Sequence, residues 1–255
     1  MTVLQGSLLF GSALIAGAIN SVAGGGTLVS FPTLVWTGVP PIIANATNTL
    51  AMTPGACGSA IAYRRELVHV PRKYLVLLVP SLIGSLVGGY LLKKTPPDTF
   101  KVLVPYLILF ATILFMMQSQ VRRLLKTDDG EQQEASTSWL IGAGCYQFGV
   151  AVYGGYFGAG IGILMLAALG MLGLRDIHQM NGLKNIFGVL TNGAAAVYFV
   201  FTGLINWPAG ILMAIGAIVG GYGGAGIARR LGQQTIRRLV IAIGFGMAIS
   251  LFFKR

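Results

Sequence analysis

AGAINSVAGGGTLVSFP, residues 16–32, is apolar enough to be a membrane-spanning helix. Yet Gly24, Gly25 and Gly26 stand in its middle, with Asn20, Ser21 and Thr27 beside them. Each glycine costs roughly 1 kcal/mol relative to alanine inside a helix, so three in succession predict a break. In lipid, a broken helix is tolerated only where its freed N–H and C=O groups are buried in protein or line a wet cavity. The break is therefore also a candidate binding site.

Composition sets the frame around this stretch. The 255 residues are 55% hydrophobic and 10% charged, with 37 glycines and a mean hydropathy of +0.75, which predicts an all-α, polytopic, multi-pass protein of the cell membrane. The net charge of +11 would suggest nucleic acid in a soluble chain, but here Lys and Arg cluster in short connections between apolar runs, as in cytoplasmic loops. No nucleic-acid partner is expected; the lipid bilayer is. The start, MTVLQGSLLF, has no basic n-region, so the first apolar run is expected to stay in the mature protein. Cys57 and Cys145 both fall in apolar runs without CxxC or metal-ligand spacing, and are expected to be buried, inert thiols.

Apolar runs of near-spanning length occur near 5–38, 41–62, 74–92, 102–121, 138–173, 179–202, 208–228 and 235–253. The acidic piece 127–138 divides them into a first repeat over 1–126 and a second over 139–255, four runs each. Adding 137 to the residue number carries Asn48 onto Asn185, Leu67 onto Leu204, Pro71 onto Pro208, Gly84 onto Gly221 and Gly89 onto Gly226. With a slightly drifted offset, Gly24 to Gly26 correspond to Gly158, Ala159 and Gly160 in YGGYFGAGIG. Each half thus has an early glycine break and an Asn-bearing second run, a pattern of secondary transporters whose substrate lies where the repeats meet.

Loop charges bear on the number of crossings. If all eight runs cross, the flanking cations divide nine against eight, which is no bias. If the first and fifth runs each dip in and return, they divide twelve against five, leaving out Lys184, and the positive-inside rule prefers this arrangement. Three crossings per half would make the repeats inverted and put both termini outside. Gly84 with Gly88, and Gly216, Gly220 and Gly224, form small-residue ridges whose plain reading is close helix packing.

GAINSVAGGGTLVSFPTLVWTGVPPIIANATNTLAM (17–52) and GYFGAGIGILMLAALGMLGLRDIHQMNGLKNIF (155–187) together resemble the sulfite exporter TauE/SafE family, also called the TSUP family. The likeness covers most of the chain in two repeats. It rests on AGGG followed by the polar opening of the next run, and on GLRDIH followed by N-x-L-K-N. The resemblance implies transport of a small sulfur-containing anion such as sulfite, thiosulfate or an organosulfonate. Members differ in the direction of transport.

Apart from Arg237 and Arg238 at the opening edge of the last run, which count with the loop before it, Lys184 is the one basic residue inside an apolar run. An ionisable group there costs roughly 3 kcal/mol if central and reads as functional by default, although a position near its helix start would also let it snorkel to the interface. Asn181, Asn185 and Asn192 share its neighbourhood on one helical face. In the first half Asn45, Asn48 and Thr49 open the second run on one face, with Thr47 and Thr53 nearby. Amides, hydroxyls and exposed backbone N–H groups suit an oxyanion, which wants several donors; interhelical bonding and capping after Pro40 and Pro41 are the structural alternatives. The candidate substrate-binding set is Asn20, Gly24, Gly25, Gly26, Thr27, Asn45, Asn48, Thr49, Gly158, Gly160, Asn181, Lys184 and Asn185. Arg175, Asp176 and His178 read as a gate or as a solvated loop, and Tyr153 and Tyr156 as site lining or interface residues.

All seven acidic residues lie outside the apolar runs, so proton coupling would fall to His69, His178, Lys184 or the substrate's own proton. There is no P-loop, HExxH or GxSxG, and no paired carboxylate in a run. The chain is therefore expected to be no enzyme and to need no cofactor or metal; a channel or facilitator for another small oxyanion, or a scaffold subunit, are the alternatives, and a homodimer is compatible with the sequence. The inverted arrangement predicts that a reporter active only in the cytoplasm stays silent when fused at Arg255, while one active only outside reports there; the opposite pair of signals would reject it.

Overall fold

The computed structural model describes residues 1–22, 25–68, 70, 72–124, 137–172, 174, 177–231 and 233–253, which form helices and connections with no strand among them. The first run is split into α1 (Val3–Val22) and α2 (Thr27–Trp36), as the glycines require. Then come α3 (Pro41–Ala62), a single turn α4 (Arg64–Leu67), a 3₁₀ turn (Arg72–Leu77), α5 (Leu78–Lys94) and α6 (Pro97–Leu124). After the linker the sequence of elements recurs: α7 (Thr137–Tyr156), α8 (Ile161–Met171), α9 (Ile177–Phe201), α10 (Trp207–Leu231) and α11 (Gln233–Phe253). Pro40 precedes α3 and Pro41 takes its first position, where a missing N–H costs no helical bond.

Among the described residues, four stretches are long and apolar enough to cross a membrane: Val3–Ser21, Tyr74–Lys94, Pro97–Met117 and Gln179–Phe201. The half-helices α2 and α8, with 10 and 11 residues, reach only about 15 Å, half of a hydrocarbon core of about 30 Å. Neither can cross alone. Gly26 lies against the Ala16 carbonyl, six residues before the end of α1, so the chain turns back along α1 after the break.

The main helix pairings join the two halves rather than consolidating each one. α1 packs along α10, α5 along α7, and α3 on both α10 and α9, while α9 also meets α5 and α6 meets α11. Exchanging the halves, α1 for α7, α3 for α9, α5 for α10 and α6 for α11, reproduces this pattern. The result is two four-helix groups, each holding one helix of the other half: α1, α2, α3 and α10, and α5, α7, α8 and α9.

The small-residue ridges sit in the two tightest seams. A β-carbon on Gly216 would stand 2.6 Å from the Phe10 carbonyl oxygen, and one on Gly84 2.6 Å from that of Phe148. One on Gly220 would overlap the Leu14 carbonyl, and one on Gly88 the Val152 carbonyl. Without a hydrophobic driving force between helices in lipid, such backbone-to-backbone approach supplies the packing attraction. The cysteines differ from expectation: Cys145 is exposed on α7 and Cys57 half-buried in α3. An apolar run does not separate lipid-facing positions from inward ones, because both are apolar.

Gly220→Leu should open the α1–α10 seam at a cost of about 3 kcal/mol, since the obstructing atom is backbone. Gly149→Ala, where an added β-carbon meets nothing within 4 Å, should be neutral. Thermal unfolding in detergent separates the two; equal midpoints would contradict the packing.

Candidate functional site

The two breaks are built from different chemistry. In the second half Gly158 and Gly160 have φ of +78° and +79°, a left-handed backbone that only glycine adopts without strain, so α7 ends and α8 begins after a sharp turn. Tyr153 fixes this turn by donating its hydroxyl to the Ala159 carbonyl at 2.8 Å. In the first half Gly26 has ordinary helical angles (φ −60°). There glycine is needed because a β-carbon would collide with the Ala16 backbone. The Gly26 N–H donates to Asn20 Oδ1 at 2.8 Å, so the side chain just before the break satisfies a backbone group that the break releases.

Between the breaks lies a cavity of about 50 Å³ with contributions from both helix groups. One wall is Asn20 and Thr27 at the first break with Met52, Ala56 and Ser59 of α3. The other is Gly158 at the second break, Ile161, Gly162 and Met165 of α8, and Lys184, Asn185, Gly188 and Asn192 of α9. Among the described residues, Lys184 is the only charged side chain in this wall. It stands about 10 Å along α9 from its first residue and is 4% exposed, so it does not snorkel to an interface. Its ammonium donates to the Asn20 carbonyl at 3.5 Å, at the C-terminal end of α1, where the helix dipole is negative. Asn185 is buried and its Nδ2 has no hydrogen-bond partner. The starts of α2 and α8 border the cavity, and neither has a side-chain cap.

Of the residues expected from the sequence, Asn20, Thr27, Gly158, Lys184 and Asn185 meet at this cavity. Gly24 lies outside the described residues. Gly25 and Gly26 are buried at the first break without lining the cavity, and the Gly26 amide is committed to Asn20 rather than available to a ligand. Asn45, Asn48 and Thr49 are buried behind the wall. Asn45 donates its Nδ2 to the Tyr156 carbonyl at 2.8 Å, which leaves toward its surroundings an oxygen, the wrong polarity for an anion. Asn48 reaches the Thr27 hydroxyl at 3.5 Å, and the Thr49 hydroxyl donates to the Asn45 carbonyl. Gly160 and Asn181 are buried next to wall residues but outside the wall. Arg175, Asp176 and the His178 side chain lie outside the described residues, as does His69. Tyr156 pairs its hydroxyl with Thr95 and packs edge-on against Phe100, a structural role.

Met52, Ala56 and Ser59 were not expected, although their spacing extends the face of Asn45, Asn48 and Thr49 down α3. Following that face past its polar opening would have found them. On α9, Gly188 was missed in the same way, while Asn192, placed on the Lys184 face from its spacing, does line the cavity.

A family model described as sulfite exporter TauE/SafE matches residues 9–251. The chain is 28% identical over 250 residues to a "probable membrane transporter protein" of Haemophilus influenzae, covering 98% of this chain and 95% of that one. It is 26% identical to the probable membrane transporter YfcA of Escherichia coli, covering 96% and 89%, and 27% identical to the probable membrane transporter YunE of Bacillus subtilis, covering 91% and 93%.

Asn20→Ala should leave the Gly26 N–H without its acceptor, at a cost of roughly 1–3 kcal/mol for an unsatisfied buried donor. Asn20→Asp keeps an acceptor there and should unfold close to the parent. Thermal midpoints in detergent read the difference; an unshifted Asn20→Ala protein would remove Asn20 as the acceptor that the Gly26 N–H depends on.

Proposed function

The chain belongs to the sulfite exporter TauE/SafE family, and from that membership we propose that it is a secondary transporter that carries a small sulfur-containing anion through the cavity between the two breaks. The observation that carries this reading is the wall itself. Among the described residues its one charged group is Lys184, its unpartnered amide group is the donor Nδ2 of Asn185, and the N-termini of the half-helices α2 and α8 border it. Each of these favours negative charge.

Size narrows the ligand. A water needs about 10–15 Å³ of such volume, so the cavity of about 50 Å³ has room for an ion of a few heavy atoms. Pockets for drug-sized ligands run from roughly 300 Å³ upward. Sulfite, thiosulfate and the shortest organosulfonates fit this range. Asn20, Thr27, Gly158, Lys184 and Asn185 are the proposed contacts, with Asn48 behind Thr27 as a positioning residue.

Alternating access between the halves 1–126 and 139–255 is the mechanism that an internal repeat suggests, but the pairing of helices bears on what moves. The glycine-tight seams α1–α10 and α5–α7 each join opposite halves. Sequence halves cannot rock as blocks without parting those seams. The moving bodies proposed here are the two mixed groups, α1, α2, α3 and α10 against α5, α7, α8 and α9, which meet at α3 and α9 around the cavity.

Lys184→Ala should lower anion flux in proteoliposomes at least about tenfold, the equivalent of about 1.4 kcal/mol, while leaving assembly intact. The assay takes sulfite, thiosulfate, sulfoacetate and taurine in turn. Unchanged kinetics would take Lys184 out of the site, and no flux of any of the four above empty liposomes would reject the transporter reading.

A further inference from the structure

Two residues of the cavity wall, Ala56 and Ser59, lie on a part of α3 that is held differently from the rest of the helix. We infer that residues 56–62 form a gate arm, which bends about Pro54 and opens the cavity toward the end of the bundle at which α3 finishes. The inference rests on the carrier reading and adds a moving part to the two helix groups.

Pro54 stands in the interior of α3. Proline has no N–H, so the Leu50 carbonyl loses the bond that residue 54 would give it in a regular helix, and the ring crowds that carbonyl. Helices kink at such positions, and bending there breaks one hydrogen bond fewer. Hydroxyls on both sides of Pro54 donate back along the helix: Thr49 to the Asn45 carbonyl at 2.9 Å, Thr53 to that of Thr49 at 2.8 Å and Ser59 to that of Gly55 at 3.1 Å. Back-bonding of this kind favours bending further.

The two sides of Pro54 are packed unequally. Before it, residues 44–49, Ala51 and Met52 are buried, with Asn45 tied to the Tyr156 carbonyl and Thr47 to the Asn206 N–H. Directly after it Gly55 is clamped on α10, where a β-carbon would stand 2.7 Å from the Ala217 carbonyl oxygen. Beyond this clamp the helix loosens. Ala56, Cys57, Gly58 and Ala60 are half-buried, Ile61 is 55% exposed, and a β-carbon on Gly58 would meet nothing within 4 Å. In α9 the position matching Pro54, 137 residues on, is Thr191, which is buried and has its carbonyl taken by the Ser85 hydroxyl. α9 runs from Ile177 to Phe201 without a proline. One helix of the central pair thus has a hinge where the other is braced.

The arm leads into α4, whose Leu67 reaches α9: a β-carbon on Gly182 would stand 3.0 Å from the Leu67 side chain. That contact latches the arm to the other helix group. The connection that follows the arm carries Arg64, Arg65, Arg72 and Lys73, so the positive-inside rule makes this the cytoplasmic end.

The test uses the full chain in proteoliposomes after Cys57→Ala and Cys145→Ala, reading flux of whichever of the four anions above the parent carries. Pro54→Ala returns an N–H to the Leu50 carbonyl, so bending must break a hydrogen bond. Flux should slow about fivefold, the rate equivalent of one such bond, with half-saturation unchanged and thermal unfolding confirming assembly. Leu67→Cys with Gly182→Cys places a disulfide across the latch, and this protein should stop transporting when oxidised and recover on reduction. Ser59→Cys should react with an impermeant thiol reagent from the cytoplasmic side, and about fivefold more slowly when combined with Pro54→Ala. Unslowed flux in Pro54→Ala, undiminished flux through the oxidised latch, or labelling of Ser59→Cys indifferent to Pro54 would overturn the gate and leave the carrier reading standing. Absence of flux from the parent protein for all four anions would overturn both.

Discussion

Every interrupted helix in a bilayer faces the same constraint: the N–H and C=O groups released by the interruption must find partners inside the protein. This chain meets it twice with few side chains. Asn20 takes the Gly26 N–H, Tyr153 reaches over its turn to the Ala159 carbonyl, and Asn45 reaches from α3 to the Tyr156 carbonyl at the end of α7. Phe31 of α2 and Phe157 of the second break stack edge to face at 5.3 Å, so the two breaks support one another through the core as well. The cavity is where this repair is left incomplete. The Asn185 Nδ2 is without a partner, and the starts of α2 and α8 are without side-chain caps.

The glycines outside the breaks serve a second requirement that follows from the first. A cavity between two helix groups is useful only if each group is coherent, and in lipid coherence comes from close backbone packing rather than from hydrophobic exclusion. Gly216 and Gly220 bring α10 onto α1, and Gly84 and Gly88 bring α5 onto α7. The contact between the groups, α3 on α9, is instead where the polar residues and the cavity lie. The closest backbone packing is thus in seams that join opposite halves, and the polar, cavity-lining surface lies between the groups.

This division explains what could be read from the chain. Helix breaks at Gly24 to Gly26 and Gly158 to Gly160, the packing ridges and the singular position of Lys184 are local facts of spacing and composition, and these were legible. That α1 belongs with α10 is not local: every helix here is apolar on faces that meet lipid and on faces that meet protein, so hydropathy is silent about partners. Cys145 shows the same blindness, apolar in its surroundings yet outward-facing. The amide polarity of Asn45 was also illegible, because which end of an amide remains available depends on its partner. Here that partner is a carbonyl 111 residues away in the chain.

The polar contacts of the breaks end in an asymmetry that the repeat alone would not suggest. The C-terminal carbonyls of α1 and α7 are each approached by a side chain from the central helix of the other half: Lys184 of α9 toward Asn20, and Asn45 of α3 toward Tyr156. Exchanging the halves carries one contact onto the neighbourhood of the other, yet one donor is a cation and the other a neutral amide. Two lysines would have buried two cations among apolar helices, which costs roughly 3 kcal/mol for each on insertion scales where the position is mid-membrane. Two amides would have brought no cation to the cavity wall at this contact. One of each reaches a helix end, and among the described residues the lysine is the one charged side chain in the cavity wall. The first half thus contributes a neutral amide at this contact, and the second contributes the cation that the proposed anion site uses.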